Sequence, residues 1–356
     1  MAWWLLLSIG VLADLQLPVV DLEKSNWKER AIEVLQKDAS FLLVNHGLGN
    51  SSSGFWGKAL SASQQLFALP ETSKAQVAAG PPSAEAPVVR GYFGIGAESG
   101  TRSSRFECKE GMSLAAGERS ERLAPNRLPK DLAEDHVSAL EAMPAQMRLL
   151  ALRLADGLAE AAQQRQILLP EDAAFLAGGG DGLEAFRIFH YLPTVDRCGG
   201  RAPSTAELLW SSDHTDWGSL TIIAQDSSDG GIEIFRDGEY HRVRSEEGAL
   251  IVNGGDYLEL VSHGVLPSPL HRVRESSPSS GRSSLVYFHY PAGSSPLRPM
   301  DVKKAQERRS VTPKPKGLVF NTLTNGLEEL DEAITYKSHL QRKWMGVRAS
   351  PAKSEL

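Results

Sequence analysis

Asp213-His214-Thr215-Asp216-Trp217 places an imidazole and a carboxylate two residues apart. In an extended strand that spacing directs both side chains to one face, roughly 6.5–7 Å apart along the chain, so both can reach a single ion. A third ligand has to come from elsewhere, and Leu270-His271-Arg272-Val273 supplies a histidine in a strand-like run. Two histidines and one carboxylate on one side of a metal form the facial set suited to non-haem Fe(II), which leaves the opposite positions free for substrate and dioxygen. Zinc is the second candidate, because hydrolytic zinc uses the same donors. A short His-x-Asp also serves as a capped turn or a surface ion pair. His263 competes with His271 for the third place, but Ser262-His263-Gly264 reads as a turn, whereas His271 lies between Leu270 and Val273. His46, before Gly47, reads as the end of a strand, and His136, His241, His289 and His339 lack partners at useful spacing.

A second constellation follows. Arg282-Ser283-Ser284 puts a guanidinium and a hydroxyl on one face of the next strand. That pair is a carboxylate receptor, because each charge-assisted hydrogen bond contributes about 1.5–3 kcal/mol. The plain alternatives are a salt bridge from Arg282 to one of the 44 acidic residues and an ordinary strand position for Ser284. Gly91-Tyr-Phe-Gly-Ile-Gly96 is not a nucleotide loop, since its glycine spacing is wrong and no helical pattern follows.

The elements that must position these groups divide the chain. Leu17 to Asp21 reads as a short strand, and Trp27, Ala31, Val34 and Leu35 mark one apolar helix face. Phe41 to Val44 is a second strand, and a further helix includes Leu66 and Phe67 and stops near Pro70. Residues 78–87 and 91–105 read as loops. From Asp131 to Gln164, Leu140, Met143, Met147, Leu150, Leu154 and Leu158 recur every three or four residues, which predicts a long amphipathic helix kinked at Pro144; Gly178-Gly179-Gly180 ends the helical region. Short β-like runs follow at 186–191, 220–224, 232–235, 249–252, 257–260, 270–273 and 284–290. The expected fold is α+β, a mainly β jelly-roll core flanked by helices. Four regions are expected: an apolar N-terminal segment over 1–16, a largely helical region over 17–182, the jelly roll over 183–293, and a C-terminal segment over 294–356 that lays a helix on the core.

In this order, His214-x-Asp216, His271 and Arg282-x-Ser284 resemble the isopenicillin N synthase-like family of Fe(II)/2-oxoglutarate dioxygenases. The resemblance runs from about residue 17 to 293. It includes Leu17-Pro18-Val19-Val20-Asp21, Phe41 to Gly47, Phe67 to Pro70, Lys109-Glu110, His214 to Thr221, Gln225-Asp226, Gly230-Gly231-Ile232, Gly248 to Asn253 and Gly255-Asp256. It implies a double-stranded β-helix core in which His214, Asp216 and His271 hold Fe(II). Arg282 and Ser284 would grip the distal carboxylate of 2-oxoglutarate, joined by Tyr191 in Arg187-Ile-Phe-His-Tyr191-Leu-Pro193. This chain has His190 where many plant members carry asparagine, and Leu192 between Tyr191 and Pro193. The implied reaction consumes dioxygen and 2-oxoglutarate, releases succinate and CO2, and oxidises a small organic metabolite. Asp216 favours hydroxylation, desaturation or ring closure over halogenation, since family halogenases replace that carboxylate. The rivals are an oxidase of isopenicillin type that does not use 2-oxoglutarate, and a non-catalytic binding module on the same scaffold.

Composition agrees with a soluble enzyme of this kind. The chain has 356 residues, 41% hydrophobic and 23% charged, and a net charge of −6, which repels phosphate backbones and argues against nucleic acid. No repeat is visible. The two cysteines, Cys108 and Cys198, lie far apart without a CxxC, and read as reduced, buried side chains. The apolar run from Ala2 to Ala13 is too short to span a bilayer. It resembles the core of a signal peptide, and Lys353-Ser354-Glu355-Leu356 loosely resembles an ER-retention tail. A cytoplasmic monomer is the expectation, with the secretory pathway as the alternative. Lys303, Lys304, Arg308 and Arg309 read as a solvated helix face.

Overall fold

The computed structural model describes residues 14–81, 88–99, 104–116, 125–177, 183–226, 231–275, 281–297 and 334–348. Strand β1 (Val19–Asp21) leads into α1 (Trp27–Asp38), which buries the predicted face of Trp27, Ala31, Val34 and Leu35. The helix ends where Ala39 turns left-handed and its amide donates to Leu35 O. β2 (Ser40–Val44), α2 (Gly54–Ala68) and α3 (Glu71–Ala75) follow.

Three strands then occupy ground that shows little alternation: β3 (Gly91–Phe93), β4 (Arg105–Glu107) and β5 (Lys109–Leu114). The loop expected over 91–105 therefore begins and ends in strand. The reason is pairing, since Tyr92 lies opposite Met112 in an antiparallel ladder that three residues cannot announce alone. Gly91 takes φ +113° there, and a Cβ on it would sit 2.4 Å from Val77 O, so only glycine can begin this strand.

Helix α4 (Glu134–Gln164) buries Leu140, Met143, Met147, Leu150, Leu154 and Leu158 and continues through Pro144. It packs against α1, α2 and α5 (Pro170–Ala177). The β-rich half supplies β6 (Ala185–Tyr191), β7 (Glu207–Leu209), β8 (Ser211–His214), β9 (Leu220–Gln225), β10 (Ile232–Arg236), β11 (Glu239–Arg242) and β12 (Leu250–Gly254). After β12 comes α6 (Asp256–Val261), then β13 (His271–Val273), β14 (Arg282–His289) and α7 (Tyr336–Arg348). The run at 257–260, read as a strand, is thus the helix α6. It is buried on every side, and a short apolar run without periodicity does not distinguish the two.

An eight-stranded sheet in the order β1-β2-β12-β9-β14-β6-β5-β3 faces a four-stranded sheet in the order β11-β10-β13-β8. Strand alternation separates two interiors. Ile222, Ala224, Leu285, Tyr287, Phe186 and Ile188 join the helical core around α4, whereas Ile223, Val286, Phe189 and Tyr191 point the other way, into the space shared with Ile232 and Val273 of the smaller sheet. This two-layer β core with helices on its outer face is the jelly roll.

Cys108 and Cys198 form a disulfide with Cα atoms 5.4 Å apart, which corrects the expectation of two reduced thiols. Ninety residues of chain separate them, but Leu192 N donates to Cys108 O (2.9 Å) and Cys108 N to Leu209 O (2.7 Å). Those bonds fold the turn after β6 back onto the junction of β4 and β5. The apolar residues 1–13, the triple glycine, the basic cluster at 303–309 and the C-terminal tetrapeptide lie outside the described residues. Among the described residues no helix is long and apolar enough to cross a membrane.

Two measurements follow from the packing. Non-reducing peptide mapping should recover one peptide pair linked through Cys108 and Cys198; two alkylatable thiols in the native protein would contradict the assignment. His46, His289 and His339 are each depressed by burial, His339 to about 4. Each folded value lies below the unfolded 6.5, so the stability these groups confer is whole above about pH 6.5 and is lost as the pH falls toward the folded values. Tm should therefore fall between pH 6.5 and 4, and His339→Gln should flatten part of that fall; an unchanged slope would show that His339 does not contribute.

Candidate metal centre

The register of one short ladder brings two histidines together. β13 pairs antiparallel with β8 so that His271 lies directly opposite His214, with an irregularity before the next pair, Val273 and Ser211. The ring centroids are 4.3 Å apart. Asp216, two residues past the end of β8, is held by the amide of Asp256 at the start of α6, which donates to Asp216 O at 2.7 Å. β8 is itself tied to the larger assembly, as Ser212 N donates to Glu107 Oε1 at 2.6 Å.

The two imidazoles are oriented by main-chain carbonyls. His214 Nδ1 donates to Ser212 O (2.7 Å) and His271 Nδ1 donates to Pro269 O (3.0 Å). A carbonyl only accepts, so both rings carry their proton on Nδ1 and present the Nε2 lone pair. Each Nε2 lies 3.8 Å from an Asp216 carboxylate oxygen, His214 to Oδ1 and His271 to Oδ2. Asp216 Oδ2 is buried and has no hydrogen-bond partner among the described residues. Desolvation and the neighbouring His271 lower the His214 imidazole to about 4, which keeps it neutral. One ligand atom from each of the three residues falls within 4.8 Å of the other two, the only such cluster of three among the described residues. Neutral imidazole lone pairs facing an unsatisfied carboxylate fit a divalent first-row metal such as Fe(II). His263, the competing candidate, is not part of the cluster.

The metal-ligand candidates open onto a cavity of about 220 Å³ between the sheets. Ser284 and Tyr191 line it, and Arg282 is buried behind Tyr191, its guanidinium 4.9 Å from the Tyr191 ring and 5.6 Å from that of Trp210. Arg282 Nη1 donates to Gln225 Oε1 (2.6 Å) and the guanidinium also interacts with the Tyr191 side chain, while the Ser284 hydroxyl has no partner among the described residues. Burial lowers the arginine below its ordinary value, partly opposed by Tyr191 and Asp226. A buried hydroxyl left open costs about 1–3 kcal/mol, and a carboxylate would satisfy it. His190 faces away from the cavity: its ring stacks on Phe67 and its Nδ1 lies 3.3 Å from Ser283 Oγ. Phe189, two residues before Tyr191, shares the tyrosine's face.

Trp217, beside Asp216, lines the cavity too. Sequence reasoning missed the rest of the lining: Glu98, Glu107, Lys109 and Arg187, and Phe288, Tyr290 and Trp344. Arg187 could have been found, because it precedes Tyr191 by four residues on one strand and therefore shares its face. Trp344 could not, since the expectation of a C-terminal helix on the core does not say which of its side chains reaches the cavity; its ring stacks on Phe93 and meets Trp217 edge-on.

Comparison with known proteins agrees with this geometry. The profile of the 2OG-Fe(II) oxygenase superfamily matches residues 184–291, and that of the N-terminal region of non-haem dioxygenases in morphine synthesis matches residues 17–131. Jasmonate-induced oxygenase 4 of Arabidopsis thaliana is 26% identical over 297 residues, covering 81% of this chain and 76% of that protein. Gibberellin 20 oxidase 1 of Oryza sativa subsp. japonica is 27% identical over 310 residues, covering 80% and 74%. Among solved structures, a full-length Neurospora crassa protein in complex with alpha-KG superposes with a TM-score of 0.67 at 20% identity, covering 92% of this chain and 95% of that one. With both halves of the chain matched and a His/Asp/His cluster in the cavity, the protein belongs to the 2-oxoglutarate/Fe(II)-dependent oxygenase superfamily and is an oxidoreductase of the dioxygenase type.

Proposed function

We propose that His214 Nε2, His271 Nε2 and the Asp216 carboxylate hold Fe(II), and that Arg282 and Ser284 take the distal carboxylate of 2-oxoglutarate, with Tyr191 beside them. Bound together, iron, 2-oxoglutarate and dioxygen supply the oxidant for hydroxylation, desaturation or ring closure of a small organic substrate, with release of succinate and CO2. The protein's own contribution is position. Main-chain carbonyls fix both histidine tautomers, Arg282 and Ser284 set one end of the cosubstrate, and Trp217 and Trp344 exclude water from the cavity.

The observation that carries this reading is the Ser284 hydroxyl, without a partner among the described residues, on the same cavity as the three metal-ligand candidates, with the buried Arg282 guanidinium two residues before it behind Tyr191. An oxidase that does not use 2-oxoglutarate would leave that hydroxyl unsatisfied, which disfavours it. A non-catalytic binding module has no use for two lone pairs aimed at one carboxylate.

Anaerobic protein should bind one equivalent of Fe(II), and His214→Ala and Asp216→Ala should each abolish that binding; iron affinity unchanged in both would refute the ligand set. Arg282→Ala should weaken 2-oxoglutarate by about tenfold to a hundredfold, the equivalent of one charge-assisted bond of 1.5–3 kcal/mol, while retaining iron. Under air, a metabolite panel scored for stimulated succinate release tests cosubstrate use and substrate class together. Failure to release succinate with every compound, in protein that binds iron, would favour the oxidase.

A further inference from the structure

The sheet face that holds Tyr191, beside Arg282, also contains a buried charge cluster that the reaction, as read above, does not use. Lys109 Nζ lies 2.8 Å from Glu107 Oε2 and 4.0 Å from Glu98 Oε2, and donates to Ser211 Oγ at 3.1 Å. Arg187 Nη2 lies 2.9 Å from Glu98 Oε1. All four side chains are 10% exposed or less. Burial opposes the charge on Lys109, but Glu107 and Glu98 outweigh it and raise its pKa above the usual lysine value. Two cations thus meet two carboxylates, and the cluster is formally neutral.

Arg187 is the member with hydrogen-bonding capacity left over. Its Nη2 is ion-paired with Glu98, but its Nε has no partner among the described residues although the guanidinium is buried on the cavity wall. The rings of Phe93 (4.6 Å), Phe189 (4.6 Å) and Trp344 (5.5 Å) crowd the guanidinium and hold its orientation. An acceptor entering the cavity would satisfy this Nε and recover part of the about 1–3 kcal/mol that an unmade buried bond costs.

Charge decides which acceptor. Fe(II), Asp216, Arg282 and the dianionic cosubstrate sum to zero, and so does the cluster around Arg187. A substrate carboxylate would therefore be the one uncompensated charge among these buried groups, at a desolvation cost that a carbonyl oxygen accepting the same bonds does not incur. Shape decides the rest, because Trp217, Phe288, Tyr290 and Trp344 offer ring surfaces to a flat body. We propose that Arg187 orients the substrate, and that the substrate it selects is an uncharged, flat conjugated ring bearing a carbonyl-type oxygen, in preference to a carboxylate. The inference rests on the function proposed above.

Calorimetry on the anaerobic Fe(II) protein separates the two. Titration with 2-oxoglutarate comes first, and its failure to bind counts against the proposed function. The loaded complex is then titrated with 2-pyridone, 2-quinolinone and acridone, and with their carboxylate counterparts benzoate, 2-naphthoate and anthracene-2-carboxylate. At least one carbonyl compound should bind tenfold or more tightly than its counterpart. Arg187→Met should weaken it tenfold or more, and Arg187→Lys, which keeps the charge and the packing stem, should weaken it less. Glu98→Gln should move the cluster to a net charge of +1 and narrow or reverse the preference toward the carboxylate, an effect a merely structural Arg187 would not produce. Equal or tighter binding of the carboxylates by the unaltered protein, no binding of any carbonyl compound, or a preference indifferent to both Arg187→Lys and Glu98→Gln in variants with unchanged Tm would overturn it.

Discussion

The structure depends on a single cross-strand pairing. With His271 opposite His214, two imidazoles from distant parts of the chain share one face of a four-stranded sheet, and a carboxylate two residues beyond the strand end closes the set. A slip of one residue in that ladder would send one ring to the other face and dissolve the cluster. The surrounding bonds resist such a slip: Ser212 N on Glu107, each Nδ1 on a carbonyl two residues upstream, and Asp256 N on Asp216 O. Much of the fold serves to keep this ladder in place, because the larger sheet, backed by α4, is the wall against which the smaller one closes.

The cavity between the sheets is organised by charge as much as by shape. At one end, the buried Arg282 guanidinium lies behind Tyr191, and the Ser284 hydroxyl has no partner among the described residues. On the same sheet face, toward β5 and the start of β6, Lys109 and Arg187 are matched by Glu98 and Glu107. Strand alternation generates this division cheaply: Arg187, Phe189 and Tyr191 face the cavity, whereas Phe186, Ile188 and His190 face the helical layer. The disulfide between Cys108 and Cys198 lies at the junction of β4 and β5, between Glu107 and Lys109, and ties that charged wall to the turn after β6.

What could be read from the sequence was whatever depends on local pattern. The face of α1, the long helix through Leu154 and most strands of the β-rich half follow from periodicity, and the metal-ligand candidates from a two-residue spacing plus one strand-borne histidine. What could not be read depends on partners distant in the chain. β3 exists because β5 is there to pair with it, and Tyr257 to Leu260 forms a helix because its surroundings, and not its own pattern, select that shape. The cysteine pairing and the packing of Trp344 against Trp217 in the cavity lining are likewise tertiary facts without a local signature. The resemblance carried by His214, Asp216, His271, Arg282 and Ser284 reached further than periodicity, because it joined five residues that the chain itself keeps apart.

The account is tested most directly by crystallography of the anaerobic Fe(II)–2-oxoglutarate complex at the iron absorption edge. One anomalous peak should stand within bonding reach of His214 Nε2, His271 Nε2 and an Asp216 oxygen, with the cosubstrate's far carboxylate against Arg282 and Ser284. Iron bound elsewhere, or a cosubstrate that leaves the Arg282 fork empty, would contradict it.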